Sequence, residues 1–221
     1  ERILKPLSQM GVNIKCINNR SPIIIKKSKI SGINYSSKIS SAQVKSAILF
    51  SGLGSSEPVF YQEPFLSRDH TEVLLKAVGV TIKMRNNKIY LSPPVKSLKP
   101  LNIEIPGDPS SASFFAGAAS ILPKSNLILK KILSNPTRFQ FFNIIRLMGA
   151  DMSLTNEGHE AGEKVTDITI NSGNLVGIEI QADKIPSIID EIPMLAVIAT
   201  QAIGKTVIRG AEELRVKESD R

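Results

Sequence analysis

The run LRVKESDR (214–221) carries charged residues whose spacing could serve catalysis. If this run is helical, Lys217 and Arg221 are four residues apart and share one face, and Glu218 lies beside them. Two cations could bind an anionic substrate while the carboxylate moves a proton. The same charges could also form a solvated helix with acidic and basic side chains paired on its surface. The local sequence leaves both interpretations open.

Asp190 and Glu191 are a second acidic pair, and they stand directly before the strongly apolar run IPMLAVIATQAIG (192–204). A carboxylate at the start of a buried helix can cap the free backbone N–H groups there. It can also be held beside a substrate hydroxyl and act as a general base. The spacing alone favours neither role.

Two serine-rich segments predict helix starts that could attract anions. ISSAQVKSA (39–47) combines the Ser41 hydroxyl, the Gln43 amide and the Lys45 ammonium near the positive end of a helix dipole, a set that suits a phosphate or carboxylate. PGDPSSASFF (106–115) begins a second helix with a proline and serines. Each segment, taken alone, is equally typical of an ordinary helix cap.

The segment SRDHT (67–71) places Arg68, Asp69 and His70 together before another apolar helical pattern. Adjacent residues at a helix start direct their side chains apart, so Asp69 and His70 are not expected to act as a pair. The local pattern predicts a capping Ser or Asp with an exposed arginine.

Composition narrows the class of partner. The net charge is +8, which fits either a nucleic-acid surface or a protein that binds small anions. Aromatic residues make up 5% of the chain and tryptophan is absent, so platforms for stacking bases are scarce and nucleic acid is not the expected partner. No apolar run approaches the ~20 residues of a membrane span. One cysteine, Cys16, and two histidines predict no metal site and a reducing, cytoplasmic setting.

An internal repeat indicates the elements that position these residues. Arg68 and Arg138 lie 70 residues apart, as do Gly79 and Gly149, and the serine pair before the first helix recurs at the same offset. In each copy the serines precede a helix, a strand, a second helix that ends on glycine, and two further strands. The pattern predicts an α/β fold of repeated β-α-β-α-β-β units. The proline-rich stretch 92–100 predicts a linker between one domain, 1–100, and a second, 101–221.

Five segments in this order resemble the 5-enolpyruvylshikimate-3-phosphate synthase family. They are SAQVKSAIL (41–49), SRDHTE (67–72), PGDPSSASFF (106–115), DEIPMLAV (190–197) and ELRVKESDR (213–221). The resemblance covers essentially the whole chain, and it implies the fold of an enolpyruvyl transferase. That fold is an inside-out α/β barrel-like arrangement of β-α-β-α-β-β units in two domains.

The resemblance also implies an activity in the shikimate pathway, which leads to chorismate and the aromatic amino acids. Members of this family transfer the enolpyruvyl group of phosphoenolpyruvate to the 5-hydroxyl of shikimate 3-phosphate and release phosphate. The reaction proceeds by addition and elimination, with no metal and no cofactor. Both substrates are anions, in keeping with the basic chain. The family further implies a cytoplasmic enzyme that is a monomer at full length.

Four of the implied binding positions lie in the first half of the chain. By resemblance, the side chains of Ser41 and Gln43 and the backbone of Ala42 bind shikimate 3-phosphate, and Gln43 also reaches phosphoenolpyruvate. Arg68 neutralises the phosphate of shikimate 3-phosphate.

The remaining implied positions lie in the second half. Asp190 binds the 5-hydroxyl of shikimate 3-phosphate and serves as its base, and Lys217 contacts the same substrate. Glu218 moves protons at the enol methylene, and Arg221 binds the carboxylate of phosphoenolpyruvate.

The chain also departs from the family pattern. The Lys-Ser…Arg motif and the glycine-rich segment of the family are not found in it, and neither are the further phosphoenolpyruvate-binding Arg and Lys. Glu213 stands where some members have an asparagine that touches substrate. We therefore expect an internal fragment, incomplete at both ends, with little activity alone. Two alternatives remain: the related UDP-N-acetylglucosamine enolpyruvyl transferase, and a non-catalytic repeat scaffold that binds anions.

Overall fold

The computed structural model of the chain describes residues 2–18 and 20–216. The chain divides into two compact units, 1–102 and 103–221, and each unit has its own hydrophobic core. Between the last strand of the first unit and Gly107, residues 93–106 form neither helix nor strand. No helix among the described residues has both the length and the apolar character needed to cross a membrane.

In the first unit, helices and strands follow the order that the repeat predicts. The helices are α1 (Leu4–Gln9), α2 (Ala42–Gly52) and α3 (His70–Ala77). The strands are β1 (Asn13–Ile17), β2 (Arg20–Lys26), β3 (Ile33–Ser36), β4 (Val59–Gln62), β5 (Thr81–Arg85) and β6 (Lys88–Ser92). The run from β3 to β6 is a complete β-α-β-α-β-β unit, so the predicted order is confirmed here.

Strands β3 to β6 form one sheet in the order β3-β4-β6-β5. β3 and β4 are parallel, and the other neighbouring pairs are antiparallel. β4 alternates buried and exposed side chains, which turns Val59 and Tyr61 toward the core. Ile48 and Leu49 of α2 and Leu91 of β6 are completely buried in the same core.

The second unit repeats this arrangement. Its helices are α4 (Pro109–Ile121), α5 (Gln140–Leu147) and α6 (Ile192–Ala199), with 3₁₀ helices over Ala182–Ser187 and Glu212–Val216. Its strands are β7 (Asn126–Leu133), β8 (Asp151–Glu160), β9 (Glu163–Asn171), β10 (Glu179–Ile180) and β11 (Val207–Ile208). The sheet order β7-β9-β8 reproduces β4-β6-β5. The parallel pair β10 and β11, with α6 between them, begins another copy of the pattern.

The first strand of this second copy is not formed, and the prediction of a complete unit is wrong at that point. A single parallel bridge between Gly107 and Ile132 takes its place. Pro106 and Pro109 flank Gly107, and proline has no backbone N–H to donate to a strand ladder. The N–H and the carbonyl of Gly107 both face β7, so the next N–H that the ladder needs is that of residue 109, and Pro109 has none. The bridge therefore cannot extend past Pro109 as a regular strand.

Glycine ends the second helix of each copy, as predicted. Gly79 and Gly149 have φ angles of +93° and +102°, a region that residues with a Cβ seldom adopt. The next residue donates its N–H back into the helix in both cases: Val80 N to Leu75 O and Ala150 N to Ile145 O, each at 2.9 Å. These bonds turn the chain sharply from the helix into β5 or β8.

An antiparallel hairpin of β1 and β2 precedes the first repeat. Every residue of β2 is exposed, including the three consecutive isoleucines Ile23, Ile24 and Ile25. Within the part of the chain that the structure describes, β2 pairs with β1 alone. The hairpin therefore presents an apolar face and one strand edge to solvent.

Candidate active site

Two parallel strands bring together the segments that carry the first group of predicted site residues. The chain leaves β3 at Ser36 and begins α2 at Ala42, and it leaves β4 at Gln62 and begins α3 at His70. Carboxyl ends of neighbouring parallel strands lie at the same sheet edge, where ligands bind in many α/β proteins. Ser41–Gln43 and Arg68 therefore belong to adjacent connections at one edge of the sheet.

Hydrogen bonds join these two connections directly. The Ser40 hydroxyl donates to the carbonyl oxygen of Phe65 at 2.7 Å and accepts from the Phe65 N–H at 2.9 Å. The hydroxyls of Ser46 and Thr71 lie 2.6 Å apart, which links α2 to α3. The structure thus holds the serine-rich helix start and the segment around Arg68 side by side.

The start of α2 offers backbone donors and polar side chains. Ser41 is the N-cap, and its hydroxyl accepts a long hydrogen bond, 3.5 Å, from the Val44 N–H. The same hydroxyl donates to Gln43 Oε1 at 3.3 Å. Ser41 and Ala42 are half-buried and Gln43 is exposed. The first N–H groups of a helix have no partner within it, so this end favours an anion.

Lys45 does not contribute to this anion-binding end, although the sequence suggested that it could. Its side chain is completely buried, and its ammonium contacts Glu63 at 3.1 Å and Glu72 at 2.8 Å. Position 45 lies in the first turn of α2, but its side chain enters the interior between α2 and α3. The ammonium is therefore a structural group and not a ligand for substrate.

An open depression of about 520 Å³ adjoins the start of α2. The residues that line it come from α1 and the residue Arg2 before it, from β3, from the connection into α2 and from the first turn of α2: Arg2, Lys5, Gln9, Asn34, Tyr35, Ser36, Ser37, Lys38, Ile39 and Val44. Three of them are cations and none is acidic. A concave surface lined by one sign of charge raises the local concentration of ligands of opposite charge, so the depression favours anions.

Asp190, from the second unit, lies half-buried in the turn between the 3₁₀ helix Ala182–Ser187 and α6. Glu191 occupies the N-cap position of α6, but its side chain makes no capping hydrogen bond to the backbone. The capping interpretation is therefore wrong for Glu191. Instead its buried carboxylate accepts a short hydrogen bond from the Ser110 hydroxyl at the start of α4.

Arg138 completes this network. Its Nη2 donates to the Ser110 hydroxyl and to Asp108 Oδ1, both at 2.7 Å. Asp108 also caps α4, because its Oδ2 accepts from the Ser111 N–H at 2.9 Å. Partial burial tends to raise the pKa of Asp108, but the hydrogen bonds from Ser111 and the charge of Arg138 outweigh it and lower that pKa below its ordinary value.

Sequence interpretation missed the roles of Arg138 and Glu191. One signal was present, since Arg138 lies 70 residues after Arg68 and occupies the equivalent place in the second copy. Nothing in the local sequence indicated that Glu191 would turn toward Ser110, because that contact joins residues 81 positions apart. The sequence predicted a Ser or an Asp as the cap of α3; Asp69 is the N-cap but forms no side-chain capping bond.

Lys217, Glu218 and Arg221 lie outside the described residues, so their predicted roles stay predictions. The 3₁₀ helix Glu212–Val216 leads toward them, with Leu214 buried and Glu213 exposed.

Metal-ligating residues are dispersed. Among residues 2–18 and 20–216, no three His, Cys, Asp or Glu side chains are grouped so that they could hold a metal ion. Cys16 lies in β1, half-buried, and His159 lies in β8.

The chain matches known proteins over its whole length. A family model described as EPSP synthase (3-phosphoshikimate 1-carboxyvinyltransferase) matches residues 1–221. The 3-phosphoshikimate 1-carboxyvinyltransferase of Sulfurihydrogenibium sp. is 47% identical over an aligned stretch of 226 residues that covers 100% of this chain and 52% of the relative. The protein of the same name from Endomicrobium trichonymphae is also 47% identical, over 100% of this chain and 51% of the relative. The chain thus spans about half the length of the curated relatives it matches.

Solved structures agree. EPSP synthase from Acinetobacter baumannii matches 100% of this chain and 50% of its own, with a TM-score of 0.90 and 42% identity. The enolpyruvyl transferase NikO from Streptomyces tendae matches 94% of this chain with a TM-score of 0.70, but at 16% identity it shows a shared fold alone. The family model does not favour UDP-N-acetylglucosamine enolpyruvyl transferase. With its predicted α/β fold and its helix starts in place, the chain belongs to the EPSP synthase (3-phosphoshikimate 1-carboxyvinyltransferase) family.

Proposed function

We propose that the protein, in its full-length form, transfers the enolpyruvyl group of phosphoenolpyruvate to the 5-hydroxyl of shikimate 3-phosphate and releases phosphate. The observation that carries the proposal is the pairing of Ser41–Gln43 with the Arg68 segment at one sheet edge. The family and the names of the relatives support the same activity.

Shikimate 3-phosphate binds at the start of α2. Ser41 and Gln43 contribute their side chains, and Ala42 contributes backbone. Arg68 then pairs with the phosphate from the neighbouring connection, and a guanidinium suits this task because it can donate two parallel hydrogen bonds to phosphate oxygens. The cations Arg2, Lys5 and Lys38 of the adjoining depression favour the approach of either anionic substrate.

Asp190 accepts the proton of the 5-hydroxyl as its oxygen adds to the central carbon of phosphoenolpyruvate. The enol methylene takes up a proton in that addition, and Glu218 is the group proposed to deliver it and later remove it. Elimination of phosphate restores the double bond in the product. Lys217 contacts shikimate 3-phosphate, and Arg221 binds the carboxylate of phosphoenolpyruvate and so orients it for attack.

The two compact units would contribute to the two domains of the full-length fold, with residues 1–100 in the first and 101–221 in the second. We further propose that the enzyme acts in the cytoplasm, as a monomer, in the pathway to chorismate and aromatic amino acids. Its reaction would need no cofactor, since addition and elimination require only proton transfer and charge stabilisation.

The test is an assay of phosphate release by the purified full-length protein with both substrates present. Release that requires phosphoenolpyruvate and shikimate 3-phosphate together is the expected result. Omission of each substrate in turn controls for simple phosphatase activity. Absence of release with both substrates would refute the proposal, and release only with UDP-N-acetylglucosamine as acceptor would assign the protein to the related transferase.

A further inference from the structure

A buried group of three charged side chains lies directly behind the proposed shikimate 3-phosphate site. The ammonium of Lys45 is 3.1 Å from Glu63 Oε1 and 2.8 Å from Glu72 Oε1, and all three side chains have no exposed surface. Lys45 also donates to the carbonyl oxygen of Ser67 at 3.2 Å. These contacts join α2, α3 and the connection between β4 and α3.

Stability is a weak explanation for such a group. Removing charges from water is unfavourable for each ion, and a protein with well-packed apolar side chains in place of a buried ion pair is often as stable or more stable. Ile48, Leu49 and Leu75 belong to the hydrophobic core of this unit, so apolar side chains at all three charged positions together would suit this part of the interior. We therefore expect the buried charges of Lys45, Glu63 and Glu72 to have a role other than stabilising the fold.

The group holds the residue next to Arg68. Glu63 Oε1 accepts from the Ser67 N–H at 2.8 Å, and both oxygens of Glu63 accept from the Ser67 hydroxyl, at 3.0 and 2.8 Å. At the other end, the Lys45 N–H donates to Ser41 O at 3.0 Å, the first hydrogen bond of α2. Lys45 thus contacts Ser41, which caps α2, through its backbone and Ser67, which precedes Arg68, through its side chain.

We propose that Lys45 is a positioning residue for shikimate 3-phosphate, which fixes the Ser67–Arg68 backbone against the start of α2. The inference rests on the proposed function, because the substrate is named by it. Lys45 does not touch the substrate. Its effect is to set the distance between the phosphate-binding guanidinium and the hydroxyl and amide of Ser41 and Gln43.

The two carboxylates have different tasks. Burial raises the pKa of Glu72 above its ordinary value, although the ammonium of Lys45 acts in the opposite direction. Among the described residues the Glu72 oxygens form this ion contact but no hydrogen bond of normal geometry. Glu63, by contrast, holds Ser67 through the Ser67 N–H and through the Ser67 hydroxyl, whose one proton is shared between the two carboxylate oxygens. Glu63 is therefore the member that transmits the position of Lys45 to Arg68.

Steady-state kinetics of the full-length enzyme test the proposal with Lys45→Met. We expect KM for shikimate 3-phosphate to rise about tenfold or more, because small misplacements of a binding group are costly. KM for phosphoenolpyruvate should change much less. The control is Lys76→Met, the same substitution at an exposed lysine of α3, and both KM values should remain unchanged. An unchanged KM for shikimate 3-phosphate, or equal rises for both substrates, overturns the proposal.

A second pair of variants decides the matter if Lys45→Met does not fold. Glu63→Gln replaces one of the two oxygens that accept from Ser67 with an NH2 donor and should raise KM for shikimate 3-phosphate. Glu72→Gln disturbs no hydrogen bond to Ser67 and should leave this KM near the wild-type value. Equal effects of the two substitutions contradict the proposal. If the wild-type enzyme shows no turnover, the proposed function itself fails. An active wild type with an insensitive Glu63→Gln variant removes the positioning role alone.

Discussion

The residue that follows Asp190 in the chain has its side chain fixed by hydrogen bonds. Glu191 accepts from Ser110, and Ser110 accepts from Arg138 at 2.7 Å. Because both helix starts take part, the network holds the first turn of α6 against the first turn of α4. Asp190 therefore projects from a turn whose backbone is anchored at the next residue, as a general base requires.

Asp190→Ala is expected to lower kcat of the full-length enzyme by about 100-fold or more, because general acid–base groups typically contribute rate factors of that size. The fold should persist, since Asp190 is half-buried and the hydrogen bond that joins the start of α6 to Ser110 is made by Glu191. Phosphate release with both substrates measures the rate, and circular dichroism checks the fold. Asp183→Ala is the matched control, because Asp183 is an exposed acid in the preceding 3₁₀ helix. Wild-type turnover in Asp190→Ala would exclude the assigned role.

The sequence was informative about these residues to different degrees. It predicted Ser41 at a helix start, and the structure confirms this residue as the cap of α2. The sequence did not predict that Lys45 is buried. Helical spacing gives the position of a residue on the helix, but it does not show that Glu63 and Glu72, 18 and 27 residues away, pair with its ammonium in the interior. Burial of a charge depends on contacts between distant segments, and one sequence does not reveal them.

At the scale of the elements, the 70-residue offset was the strongest signal. It predicted the two helix-strand-helix-strand-strand runs and the glycine that ends the second helix of each. It could not predict that the first strand of the second copy is reduced to one bridge at Gly107. The repeat shows that the two copies are similar in sequence, but it does not show where one copy departs from the other. Pro109, which has no N–H to donate to the ladder, was the local signal of this exception.

Acid should weaken the start of α4 through Asp108. Its folded-state pKa is lowered, so the unfolded chain binds the proton more readily. The stabilisation is then complete above the unfolded pKa of about 3.9 and is lost as pH falls through the folded-state value. Asp108→Asn keeps a good helix cap but removes the charge. We expect it to destabilise the protein by about 1 kcal/mol or less at pH 7, since the pair with Arg138 is partly exposed.

The difference between Asp108→Asn and wild type should shrink as pH falls below about 3.9. Urea unfolding followed by circular dichroism at neutral and acidic pH measures it. Asp183→Asn serves as the control for removal of an acidic charge at a different site on the second unit. A difference that stays constant over the whole range would show that the charge of Asp108 plays no part.

For the whole molecule, the charge of +8 was interpreted as a sign of small anionic ligands. The structure gathers three of these cations, Arg2, Lys5 and Lys38, around one depression beside α2. The five motifs identified the family, and the family model confirms it over residues 1–221. Which cations converge could not be predicted, because they come from α1 and from the end of β3, segments joined only by folding.

The β1–β2 hairpin has a practical consequence for anyone who produces this 221-residue chain alone. An exposed strand edge with three successive isoleucines invites pairing with another copy, which leads to aggregation. Ile24→Lys should therefore lower the light scattering of concentrated samples, whereas Leu122→Lys, at another exposed apolar residue, should not. Equal scattering by both variants would show that the chains do not aggregate through β2. If Ile24→Lys does lower the scattering, the yield and shelf life of the recombinant chain depend on Ile23, Ile24 and Ile25, which are distant in sequence from Asp190.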